Sequence, residues 1–227
     1  MTVAIGDCAP DFSLADVDGF SHALAQHRGK KVMLSFYRFA ACPLCNYAID
    51  ELKGRYKKLA WAANLDVIAV FQSPTESIEQ FILKSRDMTK TEFPFTLLSD
   101  PEQKTYAQYK VGRSRIGRVR GVANACRSKE CRFYARKHSR EHGNKIEGPV
   151  DRLPSDFLID EDGVIVDCFR ARAINEHIPL DRINSFLLGE KSKRSLRNVH
   201  PEEIKKESSA RNKWRKISQK ALVGVSS

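Results

Sequence analysis

Two cysteines, Cys42 and Cys45, stand three residues apart in the segment RFAACPLC, between an apolar run and a helical pattern. Side chains at this spacing in the first turn of a helix lie about 5–6 Å apart, which suits the Cα separation of a disulfide. The unpaired amides and the helix dipole favour a thiolate there. Two structural buried cysteines, or half of a zinc site, are the competing interpretations. The junction of strand and helix favours redox chemistry.

The elements around the pair predict how it is held. Residues 31–37 form a short apolar run that is typical of a buried strand, and apolar residues at spacings of three and four predict a helix of about 20 residues from near Pro43. Further along, Ser73 is predicted to cap a helix through a capping box with Glu76. The remaining predictions are strands at 66–71, 95–98, 156–160 and 164–169, a helix start at 99–101 and a last helix at 180–188. This alternation predicts an α/β sheet with parallel central strands and helices on both faces.

The charge of the chain is concentrated in two segments. The net charge is +11, and residues 112–148 carry eleven Lys/Arg against three Asp/Glu, while residues 190–227 carry eleven against four. The rest of the chain is therefore mildly acidic. We predict a domain over residues 1–189 with a basic insertion at about 112–148, followed by a basic C-terminal tail at 190–227, including a helix around Trp214. Such charge runs are usually solvated surface, so we expect no nucleic-acid partner.

The composition also restricts the location. No stretch approaches the roughly 18 apolar residues that a membrane span needs, and the first residues lack the pattern of a signal peptide. We therefore expect a cytoplasmic protein with no membrane partner. In that compartment the six cysteines are better interpreted as reactive or metal-binding thiols than as a disulfide framework. Cys8 and Cys168 stand beside apolar segments and are predicted to be buried and inert.

Four segments in order along the chain carry a family resemblance: GDCAPDFSL, FYRFAACPLC, FPFTLLSDPEQKTYAQYKVG and LPSDFLIDEDGVIVD. They cover about residues 5–111 and 150–188, and they resemble peroxiredoxins of the AhpC/TSA family, in the subgroup with a Cys-Pro-x-Cys site. The resemblance implies a thioredoxin-like α/β fold, with a central mixed sheet flanked by helices.

The resemblance also implies a thiol-dependent antioxidant enzyme without a cofactor or metal. A thiolate attacks a peroxide or a protein disulfide, and a Cys42–Cys45 disulfide closes. An external thiol such as thioredoxin or glutathione then restores the pair. The alternative is a redox-sensing binding module that contacts an anionic partner through the basic insertion and tail. The sequence leaves a homo-oligomer open.

The sequence supports either cysteine as the nucleophile. Alignment on Phe36 and Tyr37 places the peroxide-reacting cysteine of peroxiredoxins on Cys45, with Cys42 at their threonine position and Arg38 at their proline position. Thioredoxin-like enzymes instead use the first cysteine of the pair, which is Cys42.

Three further residues are candidates for supporting the pair. Pro154 precedes the predicted hairpin, where thioredoxin-fold proteins have a cis-proline facing the cysteines. Arg152 lies near the position of an arginine that stabilises the peroxiredoxin thiolate, and a solvated surface arginine is the other interpretation. Arg38 is the second candidate for the electrostatic role.

The insertion carries chemistry-bearing residues of its own. Cys126, Cys131, His138 and His142 are four potential zinc ligands, although their spacing is unusual for a zinc finger. A second redox pair and unpaired exposed thiols are the other interpretations. We therefore assign no metal site from the sequence.

Overall fold

A computed structural model describes residues 3–189, without the side chains of residues 57–63. Its centre is a seven-stranded sheet in the order β2-β1-β5-β4-β3-β6-β7. The strands are β1 Ser13–Asp16, β2 Ser21–Ala23, β3 Lys31–Phe36, β4 Leu65–Phe71, β5 Thr96–Ser99, β6 Ser155–Ile159 and β7 Ile165–Arg170. The three central strands β3, β4 and β5 are parallel, and the outer pairings are antiparallel. The predicted mixed sheet is confirmed, and the hairpin β1–β2 adds two strands that were not predicted.

Helices cover both faces of the sheet, as predicted. They are α1 Pro43–Ala63, α2 Thr75–Ile78, α3 Lys104–Gln108, α4 Arg115–Arg127, α5 Lys129–His142 and α6 Leu180–Leu187; α2 continues through a π turn at Glu79–Leu83 into a 3₁₀ turn at Lys84–Arg86. Successive strand residues point to opposite faces, so Leu34 lies in one core with Tyr106 of α3. Met33 lies in the other core with Ile49 of α1 and Ile183 of α6.

The predicted cap at Ser73 is wrong, and the difference serves the site. Helix α2 begins at Thr75 with Pro74 as its N-cap residue, and no side chain caps it. The Ser73 hydroxyl instead accepts a hydrogen bond from the buried amide of Ala40 at 2.9 Å. A buried amide without an acceptor costs about 1–3 kcal/mol, so the hydroxyl contributes more there than at an exposed helix end.

The basic insertion is a helical hairpin that packs through a stripe of small residues. Helix α4 buries Gly117, Gly121 and Ala125, which follow one another at intervals of four. The carbonyl oxygen of Gly117 accepts a hydrogen bond from the Ile174 amide at 3.3 Å. A Cβ atom on Gly121 would lie 2.4 Å from Ile174 Cγ1 and 2.8 Å from Ile174 N. Glycine therefore allows α4 to lie directly on the segment after β7.

We expect Gly121→Ala to lower the free energy of unfolding by about 1–3 kcal/mol, because the added methyl group overpacks the contact with Ile174. Gly54 is the matched control, since it lies within helix α1 and a Cβ there meets nothing within 4 Å. Gly54→Ala should raise stability by up to about 1 kcal/mol through helix propensity. Urea unfolding midpoints measure both. Equal midpoints for the two variants would contradict the close approach of α4.

The tail predicted at 190–227, with its helix around Trp214, lies outside the described residues, and the domain boundaries stay a prediction. Across residues 3–189, no helix has both the length and the apolar character that crossing a bilayer demands.

Candidate active site

Buried hydrogen bonds hold the loop between β3 and α1 from two sides. On one side, Ser73 Oγ accepts the amide of Ala40. On the other, Nδ2 of Asn46 donates to the carbonyl oxygens of Ala40 and Cys42, at 2.7 and 3.1 Å. The loop that carries Cys42 is therefore fixed before α1 begins.

Cys42 is the N-cap residue of α1, next to the first-turn N–H groups that have no acceptor within the helix. Its sulfur accepts a hydrogen bond from the Cys45 amide at 3.4 Å and another from Arg38 Nη2 at 2.6 Å. Pro43 occupies the first helical turn, where its missing N–H leaves no donor unpaired. The predicted strand–cysteine–helix junction is thus present, and both cysteines are unlinked thiols.

The surroundings of Cys42 favour its charged form. Burial would raise the pKa of this thiol, but the hydrogen bond from the Cys45 thiol, the positive charge of Arg38 and the amides of Cys45 and Leu44 act in the opposite direction. The pKa of Cys42 falls from 9.0 to about 6 as a result. At pH 7 most of this cysteine is therefore thiolate, the reactive form.

Cys45 is held in the opposite state. Burial has the largest effect and raises the pKa of the Cys45 thiol well above 9.0. The hydrogen bond that Cys45 donates to Cys42, and the negative charge of that sulfur, raise it further. The pair therefore consists of a thiolate on Cys42 and a thiol on Cys45 at neutral pH.

Arg38 supplies the positive charge next to the thiolate. Its guanidinium is buried, and its Nη1 donates to the Val150 carbonyl oxygen at 2.9 Å. Its guanidinium carbon lies 5.4 Å from the centre of the Phe39 ring. These contacts direct Nη2 at Cys42, which places the guanidinium of Arg38 beside the sulfur.

Arg152, the first candidate for that position, has its donors directed elsewhere. Its Nη1 donates to the Val111 carbonyl oxygen at 2.7 Å, and its Nη2 donates to Gln103 Oε1. Its guanidinium carbon lies 5.2 Å from the centre of the Tyr106 ring. Arg152 is buried, so the interpretation as a solvated surface arginine is wrong, and its supporting role stays a prediction.

The expected cis bond before Pro154 is wrong, because every peptide bond in the described range is trans. The Leu153 amide donates to the Gly112 carbonyl oxygen at 3.0 Å, and the Pro154 carbonyl oxygen accepts from the Ala171 amide at 3.1 Å. These two backbone hydrogen bonds flank the trans peptide bond between Leu153 and Pro154 and hold the chain extended as it enters β6.

The four candidate ligands of the insertion do not form a metal site. Cys126 is exposed near the end of α4, whereas Cys131 is buried in the first turn of α5. The rings of His138 and His142 lie 5.0 Å apart. Among the residues that the structure describes, no three His, Cys, Asp or Glu side chains are grouped so that they could hold a metal ion.

Cys8 and Cys168 are half-buried, not fully buried as expected. Burial raises the pKa of the Cys168 thiol, which keeps it in its unreactive form at pH 7.

A cavity of about 510 Å³ lies between α1, the insertion and the segment before α6. Its walls are largely apolar and include Leu44, which lies between Cys42 and Cys45 in the sequence, and Cys131 of α5. The insertion therefore extends to the helix turn that carries the pair.

The chain is similar to known proteins in both sequence and fold. The model of the AhpC/TSA family matches residues 5–168. A Mycobacterium tuberculosis protein named as a peroxiredoxin is 28% identical over 161 residues, which are 71% of this chain and 81% of that protein. Peroxiredoxin Bcp of Escherichia coli is 32% identical over 106 residues, or 47% of this chain and 64% of that protein. The crystal structure of peroxidoxin BcpB from M. tuberculosis superposes with a TM-score of 0.57 at 20% identity. The matched region is 83% of this chain and 98% of the BcpB chain, so the two proteins share a fold.

Proposed function

The chain belongs to the AhpC/TSA family and acts in thiol-dependent peroxide reduction, and we propose that Cys42 is its nucleophile and Cys45 its resolving thiol. The observation that carries the assignment is the contact of Arg38 Nη2 with Cys42 Sγ at 2.6 Å. Arg38 acts on both sulfurs, and the hydrogen bonds that Cys42 accepts from the Cys45 thiol and amide favour the thiolate on Cys42.

The proposed cycle balances with the groups in place. The Cys42 thiolate attacks one peroxide oxygen, the O–O bond breaks, and the departing alkoxide or hydroxide takes up a proton. Cys42 is then a sulfenic acid. The Cys45 sulfur attacks it, water leaves, and the Cys42–Cys45 disulfide forms. Two external thiols reduce that disulfide and become a disulfide themselves.

The burial of both sulfurs supports a peroxide as the oxidant, and disfavours a protein disulfide. Cys42 and Cys45 are each 1% exposed. A protein disulfide must bring its own sulfur into contact with the thiolate, which requires an exposed nucleophile. Hydrogen peroxide is little larger than water and needs only a narrow path.

The partners follow from this cycle. An external thiol must supply the electrons, and thioredoxin and glutathione are the reductants that we propose. Because both sulfurs are buried in the reduced protein, reduction by the protein thiol of thioredoxin requires the oxidised pair to become exposed, whereas the small thiol glutathione needs a narrower opening. A cytoplasmic location, where such thiols are kept reduced, agrees with this proposal. Membership of the AhpC/TSA family does not favour the alternative of a redox-sensing binding module.

Treating the reduced protein with one equivalent of hydrogen peroxide, and in parallel with insulin as a protein disulfide, tests the proposal. We expect the peroxide to react at least about ten times faster, because the thiolate is buried. Peptide mapping should then find Cys42 linked to Cys45, with a mass loss of two hydrogens, and dithiothreitol should restore both thiols. Faster reaction with insulin, or peroxide that oxidises neither cysteine, would contradict the proposed function.

A further inference from the structure

One buried arginine joins the redox helix to the segment after α2. Arg86 lies in the 3₁₀ turn at Lys84–Arg86, and its side chain is 7% exposed. Its Nε donates to Asp50 Oδ1 at 2.7 Å, and its Nη1 donates to Asn46 Oδ1 at 2.9 Å. Its Nη2 lies 3.2 Å from the Asn46 carbonyl oxygen. A single guanidinium thus binds the first and second turns of α1.

Asn46 transmits this contact to the nucleophile. Its side-chain oxygen accepts from Arg86, so its Nδ2 must point the other way, toward the carbonyl oxygens of Ala40 and Cys42. The residue is fully buried, and a rotated amide would set its Nδ2 against the Arg86 donor and its Oδ1 against the two carbonyl oxygens. The orientation that Arg86 imposes on Asn46 is therefore the one that holds the Cys42 backbone.

The insertion completes this arrangement from outside the redox helix. The Tyr134 hydroxyl of α5 donates to Asp50 Oδ2 at 2.5 Å, and the Arg86 Nη2 lies 3.5 Å from the same hydroxyl. Asp50 thus receives Arg86 on one oxygen and Tyr134 on the other. The Tyr134 ring also meets the Tyr47 ring edge-on, with centres 5.4 Å apart.

We propose that Arg86 is a positioning residue of the redox site, and that the helical insertion fixes it in place through Tyr134 and Asp50. Arg86 acts through Asn46 on the loop that sets the contact between Cys42 and Arg38. The insertion therefore braces the nucleophile from a distance, with no group of its own in contact with the sulfur. This inference rests on the proposed function only in naming Cys42 as the reacting thiol.

The test is the pH profile of Cys42 alkylation by iodoacetamide in the full chain, from about pH 4 to about pH 9, with the labelled cysteine located by peptide fragmentation. In wild type the midpoint should be near the Cys42 pKa of about 6. For Arg86→Gln we expect the midpoint to rise by about one pH unit, so that alkylation at pH 6 slows about five-fold. For Tyr134→Phe the midpoint should rise by less, so that alkylation at pH 6 slows about two-fold. Arg86→Lys should have a midpoint between those of wild type and Arg86→Gln.

Two controls separate positioning from general stability. Arg113 makes a half-exposed ion pair with Asp151, and Tyr47→Phe removes only a hydroxyl bonded to the exposed Glu51, so Arg113→Gln and Tyr47→Phe should keep the wild-type profile. Lower urea midpoints in Arg86→Gln and Tyr134→Phe with an unchanged alkylation profile would overturn the proposal. If Arg86→Gln does not fold, the Tyr134→Phe profile decides. Alkylation needs no peroxide, so a wild-type protein that alkylates at Cys42 but consumes no peroxide would refute the proposed function alone.

Discussion

Replacing Cys42 by Ser is expected to abolish peroxide consumption, with a loss of at least about a thousand-fold in the second-order rate constant. A serine hydroxyl has no accessible anion at pH 7, so the group that attacks the peroxide is lost. Arg38 would then face a neutral hydroxyl where it now faces a thiolate. Stopped-flow measurement of hydrogen peroxide consumption, with dithiothreitol as the reductant, checks the result.

The matching variant Cys45→Ser should behave differently, because Cys45 is the protonated partner of the pair. We expect its first turnover to proceed within about ten-fold of the wild-type rate and then to stop at a sulfenic acid on Cys42, which a dimedone probe can trap. Cys126→Ser removes an exposed thiol outside the pair and should leave the rate unchanged. A single turnover retained by Cys42→Ser and lost in Cys45→Ser would reverse the assignment and support the peroxiredoxin alignment.

Local patterns were sufficient to predict the framework of the site. The apolar run of β3 and the three-and-four spacing of α1 are properties of neighbouring residues, and both elements lie where the sequence places them. Arg38 and Cys42 are also close in sequence, four residues apart, and their contact falls within one short loop. The order of strands and helices similarly predicted the parallel centre of the sheet.

The supporting contacts could not be predicted in the same way, because they join distant parts of the chain. Ser73 matches a helix cap in sequence, and only the position of β4 beside β3 brings its hydroxyl to the Ala40 amide. Arg152 matches a family position, yet the chain folds so that Gln103 and Val111 take its donors. The spacing Gly-x-x-x-Gly-x-x-x-Ala from Gly117 indicated that the insertion packs closely, but the residues that this stripe meets, Leu153, Arg172 and Ile174, lie 36 to 55 residues further along the chain.

Replacing Arg38 by Met is expected to slow the reaction with hydrogen peroxide by up to about 100-fold at pH 7. Without the guanidinium, burial opposes the thiolate and the pKa of Cys42 moves from about 6 back toward 9.0. Most of the wild-type sulfur is ionised at pH 7, whereas about 1% would be ionised if the pKa of Cys42 returned fully to 9.0; the Cys45 thiol and the helix amides, which the variant keeps, reduce the shift. Because the missing factor is ionisation, raising the pH to about 9 should bring the variant within about two-fold of wild type.

The pH dependence separates this electrostatic effect from a packing defect. A misplaced loop would slow the reaction at every pH. A raised pKa of Cys42 slows it only at pH values below that raised pKa. Arg38→Lys keeps the charge but loses the fork that reaches both Val150 and Cys42, so its profile should lie between wild type and Arg38→Met. Arg152→Lys changes a buried arginine whose donors go to Val111 and Gln103, and its profile should match wild type in midpoint. If Arg38→Met reacts at the wild-type rate at pH 7, the thiolate of Cys42 depends on the helix amides and the Cys45 thiol, and the guanidinium has no part in the chemistry.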